Sequence, residues 1–320
     1  MGERPMQIKT RTVTPYPGYE NHVAMMLNTD SGERNDMKTL QEKIKQYRLG
    51  PGTIIKDLEI PGTEPDCTLK LRFIIPSGLP KGCGILLNIH GGGFCTGSID
   101  IDNYRAISIA EATPCIVASI EYRLVTKELR FPSPLQDCYA AYSWLQDHAA
   151  DLGADPQKIA LHGTSAGGCL AEGLALYLRD KGEQAPVLTI LNCPVLTPET
   201  TVSKLQFGEL IPFDKYRESM EAAYTGLDGN VPSYYAMPLQ CRDIRGLGPQ
   251  MVIVAEYDPL RDEGLEYANR LLKHGVPCEI ICAPRVTHGF CVVDHPLTHL
   301  IHRSVAGALR REFHMEITEI

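Results

Sequence analysis

The sequence predicts an α/β fold, a mostly parallel sheet with helices on both faces. Three observations carry this. Short runs of branched apolar residues recur from about residue 67 to 283, segments of helical period lie between most of them, and two runs end in glycine-rich turns. Residues 1–50 are polar and mixed, and "MKTLQEKIKQYRLG" (37–50) reads as an amphipathic helix closed by Gly50 and Pro51. The texture changes near residue 54. "CTLKLRFIIP" (67–76) alternates and is rich in strand formers. The runs at 84–90, 115–121, 158–163, 187–193, 251–256 and 278–283 are nearly continuous in apolar residues, as strands buried on both faces are. The clearest helices span 134–153, 165–182, 261–275 and 295–313. Residues 203–246 break the rhythm with a polar, aromatic, proline-containing stretch where one helix would suffice. The expected organisation is therefore an α/β domain of residues 51–202 and 247–320. Residues 1–50 and the 203–246 insertion form a cap over it.

The 320 residues are 43% hydrophobic and 22% charged, with a formal net charge of -8, enough for one sizeable core. The acidic balance argues against a nucleic-acid partner, which calls for a basic face. No apolar run approaches the roughly 20 residues that span a bilayer, so no membrane partner is expected. The N-terminus carries no apolar stretch of the secretory type, and the 11 cysteines include no C-x-x-C pair. The cysteines read as reduced and mostly buried, in a cytoplasmic protein.

The chemistry begins at "KIALHGTSAGGCL". Gly163-Thr164-Ser165-Ala166-Gly167 is a G-x-S-x-G sequence with a strand before it and a helix after it. The letters alone are a weak signal. That context is the nucleophile elbow, a tight turn that exposes the serine hydroxyl. A serine needs a base, and in this arrangement the acid and then the histidine follow it in the chain. Of ten histidines, His288 in "APRVTHGFCVVD" fits, because it sits on a short loop after a strand. Asp258 follows the preceding strand and is the candidate acid. Asp262 and Glu263 are close rivals, although carboxylates also suit the start of the helix there. Acyl transfer needs donors for an oxyanion. The backbone N–H groups of Gly92 and Gly93 in "HGGGF" can supply two, and Ala166 a third. Neither phosphate-binding glycine pattern is present there.

Four segments together resemble the hormone-sensitive lipase family of α/β hydrolases: "HGGGF" (90–94), "EYRL…FPSPLQD" (121–137), "GTSAGG" (163–168), and "DPLRDEG" through "THGF" (258–290). The GTSAG form is similar to one branch of its bacterial esterases. The resemblance implies an α/β-hydrolase fold with an eight-stranded sheet and a helical cap. It also implies carboxylester hydrolysis without a cofactor, the triad Ser165–Asp258–His288, and oxyanion donors Gly92, Gly93 and Ala166. The expected partner is a small-molecule ester of short to medium acyl length, and homodimers, frequent in the family, are left open. The family's usual "YRLAPE" reads "YRLVTKE" here (122–128). The same machinery serves amides or lactones, and some relatives of the fold bind small molecules without turnover. The presence of His288 favours catalysis.

Other groups carry less. His295, His299 and His302 fall at i, i+4 and i+7, a spacing that could bind a metal, but a helix surface explains it equally and no metal is expected. Cys278 and Cys282 share one face of a strand and read as core, as does Trp144 in its helix. Cys95 reads as packing.

Overall fold

The computed structural model describes residues 13–27, 49–211 and 233–315. The expected helix at 37–50 lies outside them, apart from its last two residues. The sheet has eight strands: β1 Ile54–Pro61, β2 Thr68–Ile75, β3 Cys83–Ile89, β4 Ile116–Glu121, β5 Ala154–Thr164, β6 Thr189–Asn192, β7 Gln250–Tyr257 and β8 Cys278–Thr287. Their order is β1-β2-β4-β3-β5-β6-β7-β8. β1 pairs with β2 and β2 with β4 antiparallel, and every pairing from β4 to β8 is parallel.

The apolar runs were continuous because both faces of the sheet are covered. Side chains alternate along a strand, so each run feeds two cores. In β3, Ile85, Leu87 and Ile89 enter one core while Leu86 enters the other. The first core is closed by α3 (Ser133–His148), α4 (Ala166–Lys181) and α6 (Arg261–Lys273). The second is closed by α2 (Ile99–Ala112) and α7 (Pro296–Glu312). Two shorter helices, α1 (Glu20–Leu27) and α5 (Val202–Phe207), belong to the segments expected as cap. Val13, Val23 and Met26 of the N-terminal part pack with Phe207, Leu210 and Tyr257 in a small separate cluster.

Besides the short helices α1 and α5, two elements of the α/β domain, β1 and α2, were not read from sequence. β1 is an outer strand with Ile54 and Ile55 exposed, so its pattern is weak. In α2 eight of fourteen residues are buried, including Asp102 and Arg105, so no clean polar face marks its period. Two expectations of burial need correction. Cys278 is half-buried and Cys282 is exposed, because β8 is the sheet's edge. Strand period sets the side of the sheet but not how far its cover extends. Trp144 lies at the margin of the core, half-buried, with its ring stacked on His148 at 4.1 Å. Seven of the eleven cysteines are buried and none forms a disulfide.

Glu172 of α4 is fully buried in the first core, 2.5 Å from the Tyr267 hydroxyl, which donates to it. Burial pushes its carboxyl up to about 7, against the opposing hydrogen bond from Tyr267. Its pKa is higher folded than unfolded, so its contribution is fully present below pH 4.5 and is lost as pH rises toward 7. By about 1.36 kcal/mol per unit, the cost at pH 8 is of order 3 kcal/mol. Glu172→Gln is expected to flatten this dependence, with a gain in melting temperature at pH 8 relative to wild type that is absent at pH 4.5. Equal shifts at both pH values would contradict a titrating Glu172.

Candidate active site

The parallel strands end on one side, where open α/β sheets place their sites. Ser165 follows β5 near the sheet's centre, the His90–Phe94 loop follows neighbouring β3, Asp258 follows β7, and His288 follows β8.

Ser165 has φ 56° and ψ −119°, a backbone state that costs a side-chain-bearing residue about 1–3 kcal/mol. Its N–H donates to Asn192 O at 2.9 Å, and its carbonyl accepts from Cys169 and Val195 N–H. The glycines on either side make the turn possible. A Cβ on Gly163 would lie 2.0 Å from Gly167 O, and one on Gly167 would lie 2.2 Å from Ile89 O. The second contact presses the start of α4 against the end of β3, which brings the glycine loop to the serine. A Cβ on Gly91 would meet Thr164 O at 2.9 Å and Ser165 Cβ at 3.3 Å.

The loop itself is fixed from behind. His90 is buried, stacks on Tyr122 at 4.2 Å between ring centres, and contacts Gly91 O through Nδ1 at 2.8 Å. Burial pushes its imidazole down to about 4, so it stays neutral. Tyr122 OH donates to His90 O. Next in the chain, Arg123 is held to Asp137 through its guanidinium, with Nη2 2.7 Å from Oδ1. These contacts account for the "EYRL…D" residues as a clamp. Gly92 has φ 128°, and a Cβ there would lie 2.1 Å from Thr96 O. Its carbonyl accepts from Thr96 N–H and Oγ1. Among the described residues, no acceptor takes the N–H of Gly92, Gly93 or Ala166. Cys95 is half-buried with its thiol 3.9 Å from Gly92 O, as a packing residue would be.

His288 Nδ1 lies 2.8 Å from Asp258 Oδ2, and Leu260 N–H donates to Oδ1 of the same carboxylate. Asp258 is fully buried, while the His288 side chain is 15% exposed. Burial alone would push the His288 imidazole down. The Asp258 carboxylate outweighs it and holds His288 above the usual histidine value. The two rival carboxylates are engaged elsewhere. Asp262 accepts from Ser203 N–H and pairs with Arg261. Glu263 accepts from Leu196 N–H and sits 2.5 Å from Lys204 Nζ.

Two residues at the site gave no sequence signal. His22 of α1 is buried, with Nδ1 3.1 Å from Thr287 Oγ1, so the N-terminal segment touches the loop bearing His288. Burial, reinforced by the His288 charge, pushes its imidazole down to about 4 and keeps it neutral. Cys193, after β6, is buried with its thiol beside Asp258 and His288. Beside the glycine loop lies a small, partly open cavity lined by Phe94, Val125, Phe131, Cys169, Leu170 and Tyr235, among others.

The three C-terminal histidines do not converge. His295 is not in the helix but caps it, accepting from Leu297 N–H. His299 pairs with Asp294, and the buried His302 contacts Ser108 Oγ.

Comparison with known proteins accords with this geometry. The sequence pattern of the α/β hydrolase fold matches residues 86–292, and the chain belongs to that family. The chain is 30% identical over 273 residues to Esterase LipI of Mycobacterium tuberculosis, covering 84% of each. It is 32% identical over 216 residues to an arylesterase of Saccharolobus solfataricus, covering 66% of this chain and 69% of that one. Its fold matches that of a bacterial heroin esterase with TM-score 0.81 and 31% identity, over 94% of this chain and 98% of the other. Within the family it falls with the bacterial esterases of the hormone-sensitive lipase type, and it is a carboxylic ester hydrolase. Among the described residues, no helix is long and apolar enough to cross a membrane.

Proposed function

We propose that the protein hydrolyses esters of short acyl chains through an acyl-enzyme on Ser165. The observation that carries this reading is the His288–Asp258 contact at 2.8 Å. With Nδ1–H donated to Asp258, the neutral imidazole keeps its lone pair on Nε2, where a base for Ser165 needs it. Ser165 Oγ attacks the ester carbonyl carbon and its proton passes to Nε2. The tetrahedral oxyanion takes hydrogen bonds from the N–H groups of Gly92, Gly93 and Ala166, whose lack of acceptors supports that role. Collapse breaks the C–O bond to the alcohol, which leaves with the proton from Nε2. Water then repeats the cycle on the acyl-enzyme and frees the acid.

The acyl group is assigned to the cavity between Phe94 and Cys169, one residue past the glycines and one helical turn past the nucleophile. The cavity encloses little space and its lining is apolar, which suits a short acyl chain. A p-nitrophenyl ester series from acetyl to palmitoyl tests this. Turnover is expected to peak between acetyl and butanoyl and to fall sharply by decanoyl. A maximum at long chains would overturn the acyl assignment, and no turnover of any ester would overturn the mechanism.

Residues 1–50 and 203–246 are read as a cap over the catalytic domain of 51–202 and 247–320, supported by the Val13–Val23–Phe207–Leu210 cluster. Eleven cysteines outside any disulfide support a reducing, cytoplasmic setting. The outer edge of β8, which pairs with no further strand among the described residues and carries the exposed Ile280, supports a homodimer.

A further inference from the structure

We propose that Cys193, Asp258 and His288 form a binding site for a thiophilic divalent cation such as Zn²⁺, and that the bound ion switches the enzyme off. A thiol, a carboxylate oxygen and a ring nitrogen from the ends of three neighbouring strands lie within 4.8 Å of one another. Among the described residues, this is where such donors converge. The donor types are those zinc takes, with bonds of about 2.0–2.3 Å. A tetrahedral ion with such bonds holds its ligands roughly 3.3–3.8 Å apart. The 2.8 Å contact between His288 and Asp258 therefore opens slightly, and the thiol closes in by at most about 1 Å.

Cys193 has no part in the hydrolysis derived above, yet its position is closely held. It adopts φ 47°, a left-handed backbone that a cysteine enters at a cost, and its N–H donates to Ile253 O at 2.7 Å. The thiol is thereby fixed beside the carboxylate, at the margin where the second core meets the site. Burial and the neighbouring Asp258 keep it a thiol in the metal-free protein. A bound cation reverses that balance, because the thiolate and carboxylate together cancel its two charges. Arg105, whose charge reaches Cys193, is itself paired with Asp102.

The balance of protons explains why binding inhibits. Cys193 releases its proton to solvent. His288 offers its Nδ1 lone pair only by carrying its proton on Nε2 instead. The nitrogen that must accept the Ser165 proton is then already protonated, and Asp258 is engaged by the ion. Inhibition thus acts on the base and not on the acyl pocket. This consequence rests on the reading of His288 as the base; the binding itself does not.

The full chain, freed of metal with EDTA, is titrated with Co²⁺ and with Zn²⁺, beside Cys193→Ala and Cys193→Ser. Co²⁺ is expected to give one thiolate-to-cobalt charge-transfer band per chain in wild type, missing in both variants. Zn²⁺ is expected to abolish p-nitrophenyl acetate hydrolysis in wild type, reversibly on adding EDTA. In each variant, compared with its own metal-free rate, at least about tenfold more Zn²⁺ is needed. Equal cobalt bands in wild type and variants, or equal zinc sensitivity, would overturn the site. A Cys193-dependent band in an enzyme that keeps its turnover would leave the site standing and overturn the inhibitory role alone; His288 as the base is tested separately, by the acid limb of the metal-free enzyme. Cys193→Ser preserves side-chain size, so a folding loss in Cys193→Ala does not decide the matter.

Discussion

Ser165→Ala is expected to lower kcat on p-nitrophenyl acetate by roughly 10⁶, leaving a residue of roughly 10³ over the uncatalysed rate from the oxyanion donors and binding alone. The fold should survive. The contacts Ser165 makes with Asn192, Cys169 and Val195 all run through its backbone, which alanine retains. Alanine also meets the same left-handed strain as serine at φ 56°. A melting temperature within a few degrees of wild type, with kcat reduced to background, would separate loss of the nucleophile from loss of structure. The initial burst of p-nitrophenol, which reports acyl-enzyme formation, should vanish with it. A variant keeping more than about one part in a hundred of the wild-type kcat would place the nucleophile elsewhere.

What could be read from sequence divides along a physical line. Ser165, Gly163, Gly167 and the His90–Phe94 loop were legible because a tight strand-to-helix turn and a close backbone approach demand glycine at fixed offsets. The contacts of 2.0–2.2 Å that a Cβ would make at Gly163 and Gly167 are those demands made visible. The five inner strands β3 to β7 were legible because burial on both faces removes polar residues from them, β2 because its buried and exposed residues alternate, and the edge strand β8 from its apolar letters alone. Where burial is partial or total on every side the signal fades, as in the exposed outer strand β1 and in α2, whose charged Asp102 and Arg105 are buried. Long-range partners leave no local trace. His22 meets Thr287 across 265 positions, and Cys193 meets Asp258 only because β6 and β7 are neighbours. The rivalry among Asp258, Asp262 and Glu263 was open for the same reason. All three lie within six residues, and their tertiary partners distinguish them.

Those partners allow the second large prediction. Asp258→Asn is expected to lower kcat by about 10⁴ with little change in KM, because an amide no longer holds the imidazole in the required tautomer or stabilises the imidazolium. Asp262→Asn and Glu263→Gln should instead act on stability. Asp262 anchors Ser203 N–H, and Glu263 ties Leu196 N–H and Lys204 to the start of α6. The pH profile adds a readout that misfolding does not imitate. Activity requires the neutral imidazole, so it falls as pH drops through the His288 pKa, which Asp258 holds above the usual histidine value. Without that carboxylate, burial is left to push the imidazole down, and the acid limb of kcat/KM in Asp258→Asn should move to lower pH. In Asp262→Asn the limb should stay in place. A loss of about 10⁴ in Asp262→Asn or Glu263→Gln, with Asp258→Asn within tenfold of wild type, would transfer the acid's role to the rival and break the chain of reasoning from the 2.8 Å contact to mechanism.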